Sequence, residues 1–70
     1  MPDAPNRAAR EAAAEVLRRE ARMEWDREKA WRGQHALWPG YGYAAEADIC
    51  ATRATRLEQV AAWLEGQADG

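Results

Sequence analysis

Few side chains in this sequence could begin a reaction. There is one histidine, His35, and one cysteine, Cys50. A histidine base needs an orienting partner and a nucleophile within reach. The sequence has no serine, and nothing stands at a recognisable spacing from His35. One imidazole and one thiol fall short of a structural zinc set. Gly33, Gly40 and Gly42 fit no phosphate-cradling loop, and no Gly-Lys-Ser/Thr follows them. Carboxylates are plentiful, but they alternate with arginines. Glu15 with Arg19 and Glu28 with Arg32 stand four apart, the spacing of ion pairs on a helix surface. The residues therefore predict no enzyme, no metal and no cofactor. His35 is expected to be solvent-exposed or at a helix end, and Cys50 buried as a small hydrophobe.

Binding chemistry is better represented. Arg7, Arg18, Arg22, Trp25, Lys29 and Arg32 fall on one side of a helix, giving a basic stripe with a tryptophan inside it. Such a stripe could track phosphates or an acidic protein surface, with Trp25 stacking on a base or filling a pocket. It could equally be a solvated face on which arginine stems cover one tryptophan. Glu11 and Glu15 lie close by and weaken its field. A second cluster, Trp38, Tyr41 and Tyr43, surrounds Pro39, Gly40 and Gly42. It could be a stacking platform for a ligand, or a plug that closes one end of the fold.

These groups need elements to hold them. From about residue 4 to residue 32 the sequence is alanine, leucine, glutamate and arginine without interior glycine or proline from Asn6 onward, all but a few of them strong helix formers. Asp3 is a suitable N-cap, and Pro5 is tolerated in a first turn. Residues 33–42 interrupt the pattern. Pro39 disfavours helix at Trp38, and Pro-Gly is a strong turn signal. A second helix is predicted over residues 43–65, with Glu46 and Asp48 near its positive end and Gly66 beyond its last turn. The fold class is all-α: an antiparallel two-helix hairpin with an aromatic Pro/Gly corner.

Packing follows from spacing. Tyr43, Ala47, Cys50, Ala54, Leu57, Ala61 and Leu64 alternate by four and three, an uninterrupted seam for a facing helix. Ala45, Ile49, Val60 and Trp63 run beside it and widen the apolar arc to about half the helix, more than one neighbour covers. On the first helix Ala9, Ala13, Val16, Leu17, Met23, Ala30 and Trp31 share a side. Val16 and Leu17 are expected to pack on the second helix. Glu20, Glu24 and Arg27 interrupt that side and are expected at the seam edge, where their charges reach water.

Seventy residues make one domain, expected to fray at 1–3 and 67–70. A chain this short buries only about 60% of its unfolded surface, so a lone core is marginal. Completion as a helical bundle, by dimerisation or a partner, is the expectation. No apolar run approaches a membrane span, no secretory leader is visible, and a single cysteine gives no internal disulfide. These features point to a cytoplasmic protein. Seventeen alanines and nine arginines against one lysine suggest a high-GC bacterial genome, or a phage or mobile element of one. The function expected is that of a small non-enzymatic interaction module: an adaptor, inhibitor or assembly factor. Its partner would be a second copy or a larger protein, met through Ile49, Val60, Trp63, Trp25, Trp38 and Tyr41. The alternatives are a nucleic-acid-contacting accessory protein that uses Arg7, Arg18, Arg22, Lys29 and Arg32, and an aromatic-loop ligand binder.

Overall fold

In the computed structural model, residues 6–67 are described. They form two α-helices, α1 (Arg7–Leu37) and α2 (Tyr43–Glu65), joined through a single 3-10 turn, Pro39–Tyr41. The helices lie side by side as a hairpin, and the described residues include no strand. Asp3 and Pro5, and the expected frayed ends at 1–3 and 68–70, lie outside these residues.

The start of α1 is capped by Asn6, whose Oδ1 accepts the Ala9 N–H at 2.9 Å. The cap of α1 is therefore Asn6. The end of α1 departs from expectation, because the helix continues five residues beyond Arg32, through Gly33 to Leu37. A single interior glycine costs about 1 kcal/mol, which is too little to stop a helix that still has seam residues to bury. Trp31 and His35, on either side of Gly33, are both half-buried. What ends α1 is the residue before proline: Trp38 leaves the helical region at φ −135°, ψ 67°, and its N–H still bonds to Gln34 O at 2.8 Å.

Five residues, 38–42, reverse the chain. Pro39 opens the 3-10 turn, and Tyr41 N–H bonds to Trp38 O at 3.2 Å. Gly42 takes the left-handed conformation, φ 77°, and aims the chain into α2. Glycine is the residue that adopts it without a Cβ penalty.

The α2 seam is buried as its spacing predicts. Ala47, Cys50, Ala54 and Ala61 are buried, and Tyr43, Leu57 and Leu64 are half-buried. The α1 seam differs from the expected one. It consists of Arg10, Ala14, Leu17, Ala21, Glu24, Glu28, Trp31 and His35, an unbroken alternation of four and three in which every residue is buried or half-buried. Val16 and Met23 are exposed, as are Ala9, Ala13 and Ala30. Glu24 is not at a seam edge; it is 7% exposed within the seam. Glu20 and Arg27 do lie outside. The physical reason is close approach. Both seams are lined with buried alanines, Ala14 and Ala21 on α1 and Ala47, Ala54 and Ala61 on α2, and small residues let two backbones pack tightly. A seam through Val16 and Met23 would hold the helices apart.

Each buried alanine contributes about 0.8 kcal/mol, against about 1.5–3 kcal/mol for a leucine or valine. No side chain larger than alanine's is fully buried among the described residues; Cys50 and Glu24 come nearest, at 5% and 7% exposed. The hairpin is well defined, but its hydrophobic core is thin.

Candidate interaction surfaces

The basic stripe lies along one flank of the hairpin, and α2 answers it with acids. Arg18 Nη2 meets Glu65 Oε1 at 2.5 Å, Trp25 Nε1–H donates to Glu58 Oε1 at 3.2 Å, and Arg32 Nη2 meets Asp48 Oδ1 at 3.0 Å. Arg32 also bonds Glu28 one turn back. Arg7 pairs with Glu11 at 3.0 Å. Arg18 is held further toward its charged form by hydrogen bonding to Glu65, and Glu65 falls below the usual carboxylate range for the same reason. Arg22 and Lys29 make no ion pair among the described residues. Three of the six stripe residues thus tie the helices together. That partnership was hidden because it depends on which α2 acids share the flank, and helical spacing on α1 alone cannot tell.

The opposite flank is different. Arg18 and Val16 stand on either side of the seam residue Leu17, and at about 100° per residue they point about 160° apart around the helix axis. Val16 and Met23 therefore face away from the ion pairs, as do Ile49 and Val60 on α2. These four are 54%, 49%, 44% and 46% exposed, and Trp63 beside them is 63% exposed. The corner does not fold back over them. It carries its own exposed group, with Leu37 at 69%, Trp38 at 55% and Tyr41 at 71%.

The corner aromatics form a ladder. Trp31 stacks on Tyr43 with centroids 5.4 Å apart, Tyr43 on Tyr41 at 6.0 Å, and Tyr41 meets Trp38 edge-on at 6.1 Å. Offset and edge contacts of this kind suit the ring quadrupoles. The inner half of the ladder caps the seam, and the outer half stands in solvent. Tyr43 thus belongs to the packing, while Trp38 and Tyr41 present their faces outward.

The two candidates for chemistry are both occupied by packing. Cys50 is 5% exposed, and burial, then the charge of the neighbouring Glu24, pushes its thiol above the ordinary range. A thiol held protonated is a poor nucleophile. Glu24 Oε1 accepts from Arg27 Nη1 at 2.6 Å, while its Oε2 is buried without a partner among the described residues. His35 sits in the last turn of α1, the helix-end position expected of it, and is half-buried with Nδ1 unpartnered among the described residues. No group of three or more histidine, cysteine, aspartate or glutamate side chains among the described residues could hold a metal. Two open depressions on the outer face of α2, one lined by Ala51, Thr55 and Gln59 and the other by Asp48, Ile49 and Arg53, are shallow surface features. No described helix is long and apolar enough to cross a membrane. Comparison with protein-family models, with curated proteins and with solved structures returned no match.

Proposed function

We propose that this protein is a non-enzymatic interaction module, an adaptor, inhibitor or assembly factor, whose working surface is the flank of Val16, Met23, Ile49, Val60 and Trp63. The observation that carries this reading is the exposure of those five large apolar side chains in a hairpin whose own core is alanine and cysteine. Burial on a partner is worth more to Val60 or Trp63 than anything available inside the hairpin. Trp38 and Tyr41 at the corner supply a second contact point on the same rod.

The nucleic-acid alternative has weaker support, because Arg18, Trp25 and Arg32 are engaged by Glu65, Glu58 and Asp48. The aromatic-loop alternative keeps the exposed rings of Trp38 and Tyr41 as its basis.

The test is a doubly substituted chain, Val60→Glu with Trp63→Glu. Light scattering reads self-association, and quantitative affinity capture from cells reads other partners. Association by one route or the other should fall at least about tenfold, while helicity by circular dichroism stays at the wild-type level. Unchanged association by both measures would overturn the reading.

A further inference from the structure

The exposed flank has an order of its own. On α1 the residues one position before each seam residue are Ala9, Ala13, Val16, Glu20, Met23, Arg27, Ala30 and Gln34, all exposed. On α2 the same shift gives Glu46, Ile49, Arg53, Arg56, Val60 and Trp63, also all exposed. Each helix therefore carries two heptad seams one residue out of step. The first is filled by the other helix of the hairpin. The second is a knobs-into-holes surface without a helix against it. Because the helices are antiparallel, the same one-residue shift brings both second seams onto one side of the hairpin.

Charge selects the occupant and its orientation. The stacking of Trp31 on Tyr43 fixes the register of the pair. Counting along antiparallel helices from it puts Glu20 level with Arg53 and Arg56, Arg27 level with Glu46, and Val16 within about a turn of Val60. A second hairpin related by a two-fold axis along the bundle keeps these levels and sets α1 of one copy against α2 of the other. Glu20 then faces Arg53 and Arg56, and Arg27 faces Glu46. A two-fold axis across the bundle sets α2 against α2, and Arg53 meets Arg56 at the centre of the seam. Like charges there are repulsive, which disfavours that arrangement.

We propose that the hairpin forms a two-fold, all-antiparallel four-helix bundle with a second copy of itself, corners at the same end, joined through these second seams. The proposal deepens the interaction-module reading and rests on it. Glu20 and Arg56 are the residues that specify the pairing, Val16, Met23, Ile49 and Val60 those that stabilise it.

A charge-swap complementation tests it. The chain should scatter at twice its 7.9 kDa monomer mass at micromolar concentration. Glu20→Arg alone and Arg56→Glu alone should each weaken dimerisation at least about tenfold, because each sets like charges against the other copy. Mixed in equal amounts, the two variants should recover a heterodimer, since the introduced arginine of one copy then meets the introduced glutamate of the other. Recovery on mixing separate chains cannot come from an ion pair within one hairpin. For orientation, Gly40→Cys in a Cys50→Ala background should oxidise rapidly to a disulfide-linked dimer, because the corners are together. A wild-type chain that stays monomeric at about 100 μM overturns the dimer. If capture of another protein still depends on Val60 and Trp63, the interaction reading survives that result. A dimer indifferent to both charge changes, or one whose Gly40→Cys thiols do not join, overturns the assigned seam.

Discussion

Ala54 shows how the hairpin holds together. It is 0% exposed and lies midway along the α2 seam. Its importance is its smallness, since any larger side chain pushes the helices apart along their length. Ala54→Leu should lower stability by about 1–3 kcal/mol through overpacking, read as a fall in the urea midpoint. Ala62→Leu, on the exposed side of the same helix, should change it by no more than about 0.5 kcal/mol. Equal effects would show that the alanine seam is not the tight contact. Cys50 gives a second test. Its folded thiol titrates above the unfolded one, so the folded state keeps a proton that the unfolded chain loses first. Stability is undiminished below the ordinary thiol value, about 8.5, and falls as pH rises from there through the folded value. Replacing Cys50 with alanine should flatten that alkaline decline; the same slope with and without the thiol would refute the assignment.

Two glycines set the elements, in opposite ways. Gly33 is inside α1, and a Cβ added to it would meet nothing within 4 Å. Gly33→Ala should raise the thermal unfolding midpoint, corresponding to about 0.5–1 kcal/mol of added stability. Gly42 also has open space around it, but its φ is +77°. Gly42→Ala should cost about 1–2 kcal/mol for conformational reasons alone. The pair separates backbone conformation from packing, because neither site has a steric obstacle. Destabilisation by Gly33→Ala would mean that the glycine marks a needed bend in α1. The ties between elements sit at three levels of one flank: Arg18 with Glu65, Trp25 with Glu58, Arg32 with Asp48. Gln67 adds another at the open end, where its carbonyl accepts from Arg10 Nη2 at 3.2 Å.

As a whole the molecule is a rod. Its Cα extents are 54 × 19 × 14 Å and its radius of gyration is 16.3 Å, where about 11 Å would be usual for a compact domain of this length. A rod two helices wide has a front and a back but little interior. Association adds an interior, and the folded state should then be stabilised by mass action. The thermal midpoint should rise steadily over a roughly hundredfold increase in protein concentration. A constant midpoint with a two-state transition would mean that the hairpin is stable alone and that its flank serves a partner other than itself.

The sequence by itself determined the class of fold, the turn at Pro39 to Gly42 and the seam of α2, though not the five residues by which α1 runs on past Arg32. These follow from local signals: helix-forming runs, the proline after Trp38, and a clean alternation of four and three through Tyr43 and Leu64. It also singled out Ile49, Val60 and Trp63 as apolar residues in excess of what one neighbour covers, and the structure leaves them exposed. Only the tertiary structure decided which face of α1 meets α2. The side expected from the sequence mixed two stripes one residue apart, taking Leu17 and Trp31 from one but most of its residues from the more apolar one, through Val16 and Met23. The hairpin uses the other, which contains Glu24, Glu28 and His35 but also Ala14 and Ala21. Close approach of two backbones outweighed the hydrophobicity of individual side chains, and that preference belongs to the pair of helices. The basic stripe changed its meaning for a related reason: its partners Asp48, Glu58 and Glu65 are remote in sequence and share its flank only once the antiparallel register is set.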